Sequence, residues 1–129
     1  MEEIIGTNKK GYAQIRNFVN LPHSYSFIEE RDVFTTLLNQ YFRFTKKVHP
    51  FYQFLHYNPG FSKVKLRHFF NTISFNNIPW IVTFETTLPR LGNTPKWIYK
   101  LAVKRLASNA CKKIIAISQN AYNLQLEYI

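Results

Sequence analysis

The residues best placed for chemistry stand where apolar runs stop. Ile78–Phe84 is a β-rich run that ends in the polar stretch Glu85–Arg90, opened by the Glu85 carboxylate. A second short run, Lys113–Ser118, stops at the Ser118 hydroxyl. Open α/β sheets bind their ligands just beyond the carboxyl ends of the strands. A carboxylate and a hydroxyl delivered to one edge therefore define a candidate site. Other chemistry-bearing groups give weaker patterns. No His, Cys, Asp and Glu cluster has metal-ligand spacing. Lys9-Lys10-Gly11 lacks the glycine pattern of a phosphate loop, and His23 reads as a loop histidine rather than a ligand contact. Cys111, the single cysteine, excludes an internal disulfide. Lys112 and Lys113 would lower its pKa were the thiol reactive, but its place at a helix–strand junction suits a structural role.

The elements that must position these groups follow from periodicity. Ile4–Ile5 suggests a short strand, with a turn and a weaker strand around Ala13–Val19. Residues 27–47 read as a helix whose apolar face is Val33, Leu37, Leu38, Tyr41 and Phe42. Glu29, Glu30 and Asp32 lie in its first turns and Arg43, Lys46 and Lys47 close it, in the sense the helix dipole favours. The aromatic stretch His49–Phe61 reads as a short helix with Phe51, Phe54 and Leu55 facing the core, or else as a base-stacking surface. Strands are expected over 68–74, 78–84 and 113–118, the second buried on both faces of a parallel sheet and the third short and buried as well. Thr94 as N-cap and Pro95 at the first position open a helix to Ala110. Its buried stripe would be Ile98, Leu101, Ala102, Leu106 and Ala110. Lys96, Lys100 and Lys104 repeat on the other side, as a solvated face or one that docks on an acidic membrane surface. Ser118 caps a final helix. Strand, helix, strand in that order implies a parallel pair joined by a right-handed crossover. The expected fold is α/β, a Rossmann-like parallel sheet flanked by helices, in one domain over 1–129.

Composition sets the outer bounds. The chain has 129 residues, 46% hydrophobic and 17% aromatic, which suits one domain with a real core and excludes a disordered chain. Seventeen Lys and Arg against seven Asp and Glu give a formal net charge of +10, which attracts polyanions without choosing among them. No apolar run approaches the roughly 20 residues that span a bilayer, and the N-terminus lacks the pattern of a secretory signal. A cytoplasmic protein, or one held peripherally at a membrane, is expected.

Three segments together, HFFNTIS, IPWIVTFETTLPR and KRLASNACKKIIAISQNA, resemble successive pieces of the N-terminal, acceptor-side domain of GT-B glycosyltransferases of the group 1 and family 4 type. The resemblance covers residues 66–122. It implies transfer of a sugar from a nucleotide-sugar donor to an acceptor hydroxyl, in a cleft between two Rossmann-like domains and without a bound metal or other cofactor. It makes Glu85 the general base or acceptor contact and gives Arg90 a phosphate or acidic sugar to hold. Asn71, Thr86 and Ser118 would line the cleft through hydrogen bonds. The implied partners are the nucleotide-sugar, a sugar or lipid-linked acceptor, an acidic membrane surface, and a C-terminal donor domain in cis or trans. That donor domain, with its paired glutamates, is not in this sequence, so the chain reads as a truncated or split transferase. Two alternatives stand beside this reading. One is a basic nucleic-acid-binding module, ranked lower; the other is a non-catalytic interaction protein on a transferase-derived fold.

Overall fold

The computed structural model describes residues 3–8, 25–47, 55–58, 64–88 and 96–128. Strands β1 (Glu3–Thr7), β2 (Tyr25–Glu29), β4 (Arg67–Phe70), β6 (Trp80–Phe84) and β7 (Cys111–Ala116) form a five-stranded sheet in the order β2-β1-β4-β6-β7. Every neighbouring pair in it is parallel. From β1 the chain winds to one side to place β2, then to the other to place β4, β6 and β7. The winding direction thus reverses between β1 and β4, the switch point at which such sheets open a crevice. A two-stranded parallel sheet of β3 (Leu55–His56) and β5 (Ile73–Ser74) lies apart from the main one. The helices are α1 (Val33–Thr45), α2 (Lys96–Leu106) and α3 (Gln119–Tyr128). This is an α/β architecture of Rossmann-like type.

The core explains why β6 is central. Its sequence WIVTF is β-branched and aromatic, and all of it but Ile81 is buried, as a strand flanked on both sides requires. Trp80, Val82 and Phe84 alternate onto one face and join Phe69, Ile73 and Leu88 in a cluster closed by Ala102 of α2 and Ala121 of α3. The small alanines let both helices come close to the strands. The loop after β6 is fixed from α3: the buried Gln125 amide accepts from the Leu88 N–H and donates to the Leu88 carbonyl. A second cluster, Leu55 with Ile98, lies beside Phe34 and Phe75, whose rings meet edge-on at 5.7 Å.

Several expectations need correction. The segment before α1 is not helical: Tyr25–Glu29 is strand β2, and the helix begins only after Asp32, whose extended backbone (φ −123°) and carboxylate make the N-cap. The apolar residues of α1 do not form a buried face. Leu37, Tyr41, Phe42 and Phe44 are exposed, and no residue of the helix is fully buried. Leu55 belongs to a strand, not a short helix. The run expected over 68–74 is split, because Asn71 adopts a left-handed conformation (φ 56°) that ends β4 and redirects Ile73–Ser74 to the small sheet. On α2, Ile98 and Ala102 are buried, whereas Leu101 turns outward. Among the described residues β7 is an edge strand that pairs only with β6, and Lys112, Lys113 and Ile114 are exposed rather than buried. Cys111 opens β7, and burial raises its thiol pKa, with Lys113 and Arg105 only partly offsetting this. The expected strand at Ala13–Val19, His23, and the Thr94-Pro95 cap lie outside the described residues. No described helix is long and apolar enough to cross a membrane.

Candidate functional site: a polar cleft at the switch point

The carboxyl ends of β2, β1 and β4 surround a cleft of about 300 Å³. Its lining comes from three places. Asn8 and Thr72 follow β1 and β4, Glu29 to Asp32 leave β2, and Thr35, Thr36 and His56 belong to α1 and β3.

Asn8 bonds across the switch point. Its Oδ1 accepts from the Phe70 N–H at 2.9 Å, and its Nδ2 donates to the Phe70 carbonyl at 3.0 Å and to Thr72 Oγ1 at 2.9 Å. The side-chain amide thereby extends the β1–β4 ladder as a further peptide group would.

Behind the cleft lies a buried ion pair. Arg67 is fully buried on the core-facing side of β4. Its Nε and Nη2 donate to Glu30 Oε1 and Oε2 at 2.8 and 2.6 Å, a two-point contact that a guanidinium alone can make. Asn58 Nδ2 donates to the same Oε2 at 3.0 Å. Burial works against the Glu30 carboxylate, but Arg67 and Asn58 outweigh it and hold the group below the usual carboxylate range. Gly6 makes the pair possible. A Cβ there would collide with Glu30 Oε1 and stand 3.1 Å from Arg67 Cγ.

Asp32 organises the opposite wall. Its carboxylate accepts from Phe34 N at 3.0 Å, Thr35 Oγ1 at 2.7 Å and Tyr57 N at 3.0 Å, so it caps α1 and fastens the chain after β3 to it. Asn76 and Asn58 exchange two further bonds that hold this chain in place. His56 is almost wholly buried, its ring 4.6 Å from that of Phe69. Burial lowers its pKa, only partly offset by Asp32 and by the Glu30 carbonyl, and keeps the ring neutral near pH 7. Its Nε2 lies 3.4 Å from Glu30 O. The tautomer with the proton on Nε2 donates to that carbonyl and leaves Nδ1 as an acceptor. Among the described residues, neither His56 Nδ1 nor Arg67 Nη1 finds a hydrogen-bond partner.

These features decide what the cleft suits. A helix N-terminus ordinarily invites anions, but Asp32 already occupies that of α1. Among the described residues, Glu29, Glu30 and Asp32 supply carboxylates to the lining and Arg31 a guanidinium, and Glu30 is already paired with Arg67. The rest of the described lining is the Asn8 amide, the Thr35, Thr36 and Thr72 hydroxyls and the His56 imidazole, groups that can hydrogen-bond a ligand rich in hydroxyl groups.

Of the residues singled out in the sequence, Asn71, Glu85, Thr86 and Ser118 occupy the same edge, further along the sheet. Glu85 follows β6 and is half-buried, and its N–H donates to Asn71 Oδ1 at 2.9 Å. The Asn71 N–H in turn donates to the Thr83 carbonyl at 2.9 Å. Asn71 therefore acts on Glu85 through the backbone, while the next residue, Thr72, reaches into the cleft. Thr86 is exposed. Ser118 lies beyond β7 and is engaged in capping α3, its Oγ accepting from Ala121 N at 3.1 Å. Arg90 lies outside the described residues. The structure thus joins Asn71 with Glu85, and leaves Ser118 on the shared edge but committed to a helix.

The Glu30, Asp32 and His56 side of the edge was missed in the sequence. Their roles depend on partners 37, 25 and 26 positions away. The one local signal was Asp32 ahead of Thr35 and an apolar run, which marks an N-cap and would have set the helix boundary correctly. Among the described residues no group of His, Cys, Asp and Glu is arranged to hold a metal ion. Compared with known proteins, the chain matches no family model, no curated protein and no solved structure.

Proposed function

We propose that this chain is the acceptor-side half of a glycosyltransferase of GT-B type, and that the switch-point cleft holds the sugar or sugar-bearing headgroup whose hydroxyl is glycosylated. The observation that carries the reading is the cleft's chemistry. Its described lining is mostly hydroxyl, amide and carboxylate, with Arg31 and His56 beside them, and the helix dipole that would attract a phosphate is already capped by Asp32. A neutral polyol satisfies such groups, whereas the diphosphate of a nucleotide-sugar meets the Asp32 carboxylate at the start of α1. The donor then belongs on a second domain that faces this edge.

In this reading Glu85 accepts the proton from the attacking hydroxyl. It is offered by β6, next in the sheet to β4, so it stands within about 10 Å of the cleft at the usual strand spacing. Asn71 positions it. Thr86 and Arg90 follow it in sequence and would contact the transferred group, and Ser118 marks the far end of the edge.

The test is a titration followed by amide chemical shifts. A panel of neutral mono- and disaccharides should move the signals of Thr35, Thr36, His56 and Thr72, with a nucleotide-sugar moving them far less. Tighter binding of the nucleotide-sugar at these residues, or no response to any sugar, would overturn the proposal. Once a donor domain is supplied, Glu85→Gln should lower kcat by 10²-fold or more, the usual scale of general-base loss, with KM little changed.

A further inference from the structure

We infer that α2 is a docking surface for an anionic lipid bilayer. The helix is held in one rotation by its inner side, where Ile98 and Ala102 are buried in two core clusters. Its outer side therefore cannot turn inward. On that side Lys96, Lys100 and Lys104 repeat every four residues and are all exposed. Beside them run Trp97, 67% exposed, and Leu101, 42% exposed. A cationic row flanked by an aromatic and an aliphatic row is the arrangement that lies at a lipid headgroup boundary, with the ammonium groups at phosphates and the apolar side chains below them.

Charge favours the same partner. Between Glu85 and Glu127 the sequence has no acidic residue and carries seven Lys or Arg, so no carboxylate of this stretch neutralises the row. Arg105 does not join it. Its guanidinium turns back to the carbonyls of Ser74 and Asn76 and stands over the Phe75 ring at 5.8 Å. The lysines thus stay available while the neighbouring arginine fastens the helix to the body of the protein. A nucleic acid strand would use the same charge, but stacking needs aromatic faces in series, and this face offers Trp97 alone.

The sequence holds two tryptophans, and Trp80 is fully buried in the core, so a change of emission on docking reports Trp97. The full chain is titrated with vesicles of phosphatidylcholine alone, with vesicles containing phosphatidylserine, and with single-stranded RNA. Phosphatidylserine vesicles should shift the emission to the blue, in a manner weakened by salt, and phosphatidylcholine vesicles should not. Replacing Lys96, Lys100 and Lys104 by Ala should weaken binding on the order of 100-fold, from about five-fold per lysine near a charged surface. Trp97→Ser should weaken vesicle pelleting while leaving circular dichroism unchanged. The inference is overturned if anionic vesicles leave the emission unmoved, if the triple variant binds as the parent does, or if RNA moves Trp97 while vesicles do not.

Discussion

Replacing Arg67 by Met removes the cation from beneath Glu30 and leaves a carboxylate that is only 5% exposed without a charge partner. Methionine fills much of the volume of the arginine stem, so packing loss is small and the orphaned charge dominates. Breaking a buried pair from one side costs about 3–5 kcal/mol. With a urea slope of about 2 kcal/mol per M, ordinary for a small domain, the unfolding midpoint should fall by about 2 M. The paired variant Arg67→Met with Glu30→Gln removes both charges and keeps an acceptor for Asn58, so it should regain most of that loss. Acid should narrow the gap. The folded Glu30 carboxyl is held below its ordinary range by Arg67, so its contribution is complete above the unfolded carboxyl pKa of about 4.3 and is lost as pH falls through the lower folded value. The parent should therefore lose its advantage over the doubly neutral chain only on the acid limb. Urea titrations monitored by circular dichroism at neutral and acid pH check this. A midpoint shift under about 0.3 M for Arg67→Met, or a double variant no better than the single, would refute the reasoning.

Gly6→Ala places a methyl group against Glu30 Oε1 and should destabilise by about 1–3 kcal/mol through overpacking. Combined with Glu30→Ala the two costs should be strongly non-additive, which a double-mutant cycle in urea reads directly. Gln125→Leu leaves the N–H and carbonyl of Leu88 unpaired in the interior and should cost about 1–3 kcal/mol, with faster hydrogen exchange at Leu88. Cys111 should react with a disulfide reagent more slowly than a free thiol at neutral pH, because burial raises its pKa and keeps it protonated. The rate should climb only in alkali, which stopped-flow at several pH values checks.

What the sequence made legible were the features decided within a few residues. The apolar run into Glu85 announced β6, Ser118 announced the cap of α3, and a strand–helix–strand order announced the parallel pairing of β6 with β7. The helix over 27–47 was misjudged at its start because Glu29 and Glu30 imitate an acidic first turn. In fact one ends a strand and the other is bound to an arginine 37 positions on. The cleft was not legible because Gly6, Glu30, Asp32, His56 and Arg67 acquire their roles only when β1, β2 and β4 are laid side by side. Likewise, nothing local says that Leu101 faces outward while Ile98 faces inward. That depends on where α2 meets the sheet.

The Asn8 amide has a consequence for how a ligand can enter. In a sheet of this winding, the gap between β1 and β4 is where a guest can wedge between strands. Asn8 stitches that gap shut with its bonds to Phe70 and Thr72. A guest is diverted sideways, toward β2 and the start of α1, and meets Thr72 as a fixed wall. Asn71 ties this same turn to the backbone of Glu85, so the wall and the end of β6 belong to one hydrogen-bonded chain. A single amide thus behaves as a seam that closes one approach and leaves another.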